Sequence, residues 1–191
     1  FAQEQVVAME ILRGPLWEKS ELVKTRLLEH PAILNAAASH RAPGKPTNNF
    51  SAYLRSTADD AGIEMFEIAV ENAFIPTYGI TLVAGRNFSE DPESDRTACT
   101  INETAARELG WESPEEGVGI ELKVQGRWLT VIGVMEDFHF QSLHRHIEPI
   151  VFHHFNSMSY LSVRIRPNNV QETMSFIQKV FQDLAPELPD F

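Results

Sequence analysis

The chain has one cysteine, Cys99, in 191 residues, so it can form no internal disulfide and no multi-cysteine zinc site. Long apolar runs are missing as well. A membrane helix needs about 18 consecutive apolar residues, and the longest uncharged stretch near mid-chain, 72–85, is broken by Pro76 and Gly79. Basic residues are short: 16 Lys and Arg stand against 27 Asp and Glu, a formal charge of −11. Nucleic acids and anionic membrane surfaces select basic patches, so this balance argues against both. Several signatures of chemistry are also absent. There is no GxSxG, no HExxH, and Gly117-Val118-Gly119 lacks the rest of a dinucleotide or phosphate-loop pattern. The chain opens at Phe1 without Met or a signal-like pattern and stops at Phe191 just after a helical stretch. We therefore expect a segment cut from a longer protein.

What is present is ordinary globular material, 43% hydrophobic and 23% charged. Gln5 to Ile11 reads as a strand, Gly14-Pro15 as a break, and 16–29 as a helix with Leu16, Val23 and Leu27 on one face, widened by Trp17 and Leu28. His30-Pro31 ends that helix, and Ile33 to Ser39 returns as a strand. The far end repeats the design, with strands at 150–155 and 160–165 and a helix whose Val170, Met174, Ile177, Phe181 and Leu184 recur at helical spacing. Asn169 and Glu172 predict a capping box for it.

Residues 41–49 read as a turn-rich linker. Between the two ends lie short β-like runs at 52–55, 63–71, 80–84, 97–101, 120–124 and 128–135. One short helix, capped by Asn102 and closed by Gly110, interrupts them, and Gln125-Gly126 marks a hairpin turn. The expected fold is α+β and discontinuous: a porter-like α/β lobe from residues 1–47 and 141–191, with a β-rich lobe, 48–140, inserted between. Such an insertion suits a domain held between two anchors.

The segment 131–152, VIGVMEDFHFQSLHRHIEPIVF, concentrates the candidate chemistry. His139, His144, His146, His153 and His154 lie close in sequence to Glu136, Asp137 and Glu148. Zinc requires three or four such ligands around one point. A metal-dependent enzyme using Asp137, His139, His144 and His146 is therefore one alternative, and histidines on a surface crossing are the other. A small-ligand module with its pocket between the lobes is a third reading. Cys99 sits in an apparent strand, where a buried, inert thiol is expected. Phe138 and Phe140 alternate, so both phenyls face one way and are expected in the core.

The stretches LLEHPAILNAAASHRAPG (27–44), GITLVAGRNFSE (79–90), INETAARELGW (101–111), 131–152 and YLSVRI (160–165) together resemble MacB-like periplasmic core domains of MacB/FtsX-type ABC-transporter permeases. The resemblance implies a non-catalytic extracytoplasmic domain between two membrane helices, with a porter-like lobe and a β-rich lobe often called the sabre. It implies no cofactor here, since ATP would act on a separate cytoplasmic ATPase whose cycle moves the domain. Partners would be the permease's membrane helices, the ATPase, and an adaptor, lipoprotein or other envelope protein; the isolated domain is expected to be monomeric. The matched motif positions carry structural roles. Pro43 and Gly44 would leave the porter-like lobe, Gly85, Arg86 and Phe88 would close the strand at 80–84, and Asp137 and Phe138 would mark the return. Arg86 and Asp137 are expected to approach each other.

Overall fold

Two sheets organise the chain, and the β-forming runs legible in the sequence supply both. The computed structural model describes residues 5–11, 18–44, 51–53, 63–91, 93–140, 146–154 and 158–186. In chain order the elements are β1 (Gln5–Glu10), α1 (Ser20–Leu28), β2 (Ile33–Ser39), β3 (Ser51–Tyr53), β4 (Glu64–Ala69), α2 (Phe74–Tyr78), β5 (Leu82–Gly85), β6 (Ala98–Asn102), α3 (Glu103–Glu108), a 3-10 turn (Pro114–Gly117), β7 (Glu121–Val124), β8 (Arg127–Met135), β9 (Ile150–His153), β10 (Tyr160–Ile165) and α4 (Val170–Leu184).

The ends of the chain build a three-stranded sheet ordered β1-β10-β2, with β10 antiparallel to both neighbours. This is a split β-α-β unit: the last strand inserts between the first two. Helices α1 and α4 bury Val23, Leu27, Ile177, Val180 and Phe181 against Met9, Ile33, Leu161, Val163 and Ile165. In α1 the stripe is narrower than expected, because Leu28 is exposed. Leu16 and Trp17 lie outside the described residues. Helix α4 begins differently from its predicted capping box. Asn169 adopts the left-handed conformation (φ 59°) with no capping hydrogen bond, and its side-chain amide donates to Glu172 instead. Asparagine tolerates that conformation better than most residues, which explains how the chain turns there.

The second sheet has seven strands in the order β3-β4-β9-β6-β8-β5, with β7 also on β8. Pairs β4–β9 and β6–β8 are parallel and the others antiparallel. Residues 141–191 are expected in the lobe built from the chain ends, but Ile150–His153 is a central strand of this sheet instead. All four of its residues are buried, as a strand covered on both faces requires; its closeness in sequence to β10 misleads. Ring contacts place Phe138 and Phe140 in the core with Phe152, as their alternation predicts. The sheet curls, bringing β7 toward β3, and its concave core holds Met65, Ile101, Leu122, Leu129, Val131 and Val151. Gln125 and Gly126 both have positive φ, the backbone of a two-residue hairpin turn.

Helix α2 was not foreseen, because Pro76 and Gly79 read as breaks. Pro76 falls at the helix's third residue, where a missing N–H breaks no intrahelical bond, and Gly79 is its left-handed C-cap.

Two glycines fix where the chain leaves β5 across β8. A Cβ at Gly133 would lie 2.5 Å from the Arg86 carbonyl oxygen, and one at Gly85 would lie 2.2 Å from that of Ile132. Both obstacles are backbone, so neither can rotate aside. Gly133→Ala is therefore expected to cost about 1–3 kcal/mol, the range for overpacking a fitted core. Its Tm should fall by roughly 2–4 °C for each of those kcal/mol. A variant melting at the wild-type temperature would show that this approach is looser than described.

Candidate functional site

Among the motif positions, Asp137 belongs to one polar node on the seven-stranded sheet and Gly85, Arg86 and Phe88 to a second; a third node joins the two sheets. The first node forms where β8 ends. Asp137 accepts hydrogen bonds from the Thr104 backbone N–H (2.8 Å), the Thr104 hydroxyl (2.7 Å), Asn102 Nδ2 (2.9 Å) and Arg107 (3.2 Å). Asn102 is the hub. Its Oδ1 accepts from Ala105 N (3.1 Å), capping α3 as predicted, and also from Ile150 N (2.9 Å). Its Nδ2 donates to the Glu148 carbonyl oxygen as well (3.0 Å). One fully buried amide thus binds the ends of β6 and β8, the start of β9 and helix α3.

The second node holds the segment after β5. Gly85 has φ +71°, Arg86 N donates to the Ile132 carbonyl oxygen (2.8 Å), and the Arg86 guanidinium grips both oxygens of Asp95 (2.7 and 2.9 Å). The Ser89 amide also donates to Asp95 (2.6 Å). Arg86, and with it the Ser89 amide, outweighs burial and holds the Asp95 carboxyl down at about 2. Phe88 is buried and packs on the His154 ring. Arg86 and Asp137 therefore do not meet, contrary to expectation: each charge has a nearer partner, in Asp95 and Arg107. A local signal existed, since Asp95 is nine residues from Arg86 in a turn-rich stretch.

The third node was invisible to sequence reading. Glu71, just past β4, accepts from Lys24 of α1 (2.8 Å) and from the Ala38 amide of β2 (2.9 Å). Burial works against the Lys24 ammonium, but Glu71 and Glu21 outweigh it and raise its pKa. The Tyr78 hydroxyl lies 2.7 Å from the Ser162 hydroxyl of β10. Arg164 donates to the Pro76 carbonyl oxygen (2.8 Å). Backbone bonds from His40 N to Ala69 O (2.8 Å) and from Glu71 N to Ala38 O (3.2 Å) run alongside. Pro43 lines an open groove with Tyr78, Asp137 and Phe138, and the neighbouring Gly44 N donates to Phe140 O (2.9 Å).

Of the groups considered for chemistry, His139 and His146 line one small cavity with Glu148, and Asp137 and His139 line an open groove. His139 and His146 are exposed, His153 is paired with Glu67, and His144 lies outside the described residues. Among the described residues no three His, Cys, Asp or Glu side chains are arranged to hold a metal ion. Cys99 stands directly opposite His153 across β6 and β9, an arrangement that could suggest a thiol–imidazole pair. Burial, however, pushes the Cys99 thiol up to about 12, and both ring nitrogens of His153 are already engaged, by Glu67 and the His154 carbonyl oxygen.

Asn102→Ala removes a helix cap and leaves the Ile150 amide buried without a partner, a loss of about 2–4 kcal/mol in denaturant unfolding; a change below half a kcal/mol would refute the hub. Asp95 contributes stability that is fully present above the ordinary carboxylate range and is lost as pH falls toward about 2. Acid unfolding of Asp95→Asn should therefore be flatter than wild type below pH ~4.

The family model described as the MacB-like periplasmic core domain matches residues 17–179. Among solved structures, the periplasmic region of MacB from Actinobacillus actinomycetemcomitans aligns at TM-score 0.64 and 14% identity, covering 94% of this chain and 83% of that one. The extracellular domain of the noncanonic ABC-type transporter YknZ from Gram-positive bacteria gives 0.64 and 14%, with 96% and 94% covered. A domain of a putative permease from Porphyromonas gingivalis gives 0.56 and 20%, with 81% and 71% covered. No curated protein matches by sequence. No helix among the described residues is long and apolar enough to cross a membrane. The chain belongs to the MacB-like periplasmic core domain family, the periplasmic domains of MacB-like ABC-transporter permeases.

Proposed function

We propose that this domain is non-catalytic and acts as a rigid transmission element. Motion driven by ATP on a separate cytoplasmic ATPase enters through the permease's membrane helices, crosses both sheets, and reaches a partner protein or cargo outside the membrane. The domain needs no cofactor for this. The partners expected are the rest of the permease, the ATPase and an envelope protein such as an adaptor or lipoprotein.

The observation that carries the reading is the junction between the sheets. A hinge between two lobes has few crossing contacts and a flexible linker. Here α2 is wedged between the sheets, Phe74 is buried, and Lys24–Glu71–Ala38, Tyr78–Ser162 and Arg164–Pro76 cross beside it. Such a joint passes displacement on without absorbing it. The buried thiol of Cys99, pushed up to about 12, fits a role without chemistry.

The test uses the complete permease with its ATPase. Ser39 and Val70 face each other in a β-bridge, so the pair Ser39→Cys, Val70→Cys can be oxidised to lock the sheets together; Cys99 is buried and should not interfere. Transport should survive that lock. Loosening the joint with Glu71→Gln and Tyr78→Phe together should leave ATP hydrolysis running and reduce transport. The opposite pattern, transport lost on locking and kept on loosening, would mean that the sheets must move against each other, and rigid transmission would be wrong.

A further inference from the structure

His154 follows β9 directly, and its Nε2 atom is buried with no hydrogen-bond partner among the described residues. The ring also interacts with the backbone of Val70, the residue after β4, which favours its charged form. The ring meets Phe88 edge-on, with centroids 4.5 Å apart. Phe88 is the one large apolar anchor of the 86–95 strap, whose remaining ties are polar: Arg86 N to Ile132 O, Arg86 and Ser89 N to Asp95, and Asn87 Nδ2 to Asn72 O. A buried polar atom without a partner is rare enough to require a cause. A neutral imidazole supplies one, because a bare lone pair is tolerated in apolar surroundings where an N–H⁺ is not.

We propose that His154 is a proton-sensitive pin: while neutral it seats Phe88 and holds the 86–95 strap on the seven-stranded sheet, and proton uptake at Nε2 releases the strap.

The charges around the ring come from three elements. The strap brings Asp95, already gripped by Arg86; the end of β4 brings Glu71, already bound to Lys24; and β9 itself brings His153, paired with Glu67. Asp95, Glu71 and the Val70 bond favour a charged ring, while burial and His153 oppose it. Burial is the largest of these and leaves the pKa of His154 below the ordinary histidine value. Below the ordinary value the released ring takes up a proton that the docked ring does not, so docking is strongest above that value and weakens as pH falls.

Hydrogen exchange on the 191-residue chain between pH 7.5 and 5.5, corrected for intrinsic rates, reads this at the Arg86 and Ser89 amides. In wild type their protection should fall as pH drops below ~6.5, by at most about tenfold per pH unit, the limit for one proton. His154→Phe keeps an aromatic ring against Phe88 and cannot titrate, so its profile should be flat. His154→Gln keeps a polar side chain beside Val70, cannot titrate and should be flat as well, which preserves the test should the Phe variant misfold. The proposal is overturned by a flat wild-type profile, by a slope that persists in both variants, or by α4 amides such as Ile177 losing protection in step with the strap, which would mark a global transition.

Discussion

The burial of one five-residue helix, α2, is the constraint on which the rest of the molecule depends. Phe74 is fully enclosed, its ring edge-on to Phe152 at 5.2 Å and tilted on Tyr78 at 4.6 Å. Burying a side chain of that size contributes about 1.5–3 kcal/mol, and α2 also buries Ile75 and Thr77. What allows the approach is the smallness of the opposing surface. Ala37 and Ala38 of β2 and Ser162 of β10 are all fully buried, and larger residues there would hold the sheets apart. Lys24–Glu71 and Tyr78–Ser162 then add orientation more than energy. Partly buried ion pairs lose in desolvation much of what they gain in attraction, but they tolerate only one geometry.

The seven-stranded sheet has a second dependence, on Asn102. Parallel pairing of β6 with β8 and of β4 with β9 places several strand ends in one region. There the backbone N–H groups of α3 and the first amide of β9 need acceptors. A single side chain meets these needs because an amide both donates and accepts, whereas a carboxylate at position 102 would face Asp137 and the Glu148 carbonyl oxygen with no donor to offer.

Much of this was legible from local pattern. The runs that became β2, β4, β6, β7, β8 and β10 are short, β-branched or alternating, and the stripe on α4 packs as its spacing predicts, with Ile177 and Phe181 buried. The MacB-like motifs carried the family, and the buried thiol of Cys99 followed from its strand setting. What was not legible is pairing at long range. Nothing in IVF announces that β9 will lie between β4 and β6, because a parallel partner is chosen by the fold and not by a turn. The Arg86–Asp137 expectation failed for the same reason in reverse: it joined two motif positions across the sheet while Asp95 stood nearby. Glu71, Tyr78 and Ser162 carry no periodicity that would mark them, since each acts through a partner far along the chain.

On the proposed function, the most telling strand is β8. It has nine residues and pairs with β6 along one side and with β7 and β5 end to end along the other. A displacement applied at its hairpin turn, Gln125-Gly126, cannot bend it without breaking ladder bonds to three strands at once. In the proposed transmission it would be delivered instead to the far end of β8, where Asp137 and Asn102 would divide it between α3 and β9. From β9 it has a short route to the junction, through the parallel ladder to β4 and the Val70 amide, which donates to the His153 carbonyl oxygen (3.0 Å). Glu71 is the next residue. Stiffness along that path comes from backbone hydrogen bonds in fixed register, so surface residues can change widely without altering it.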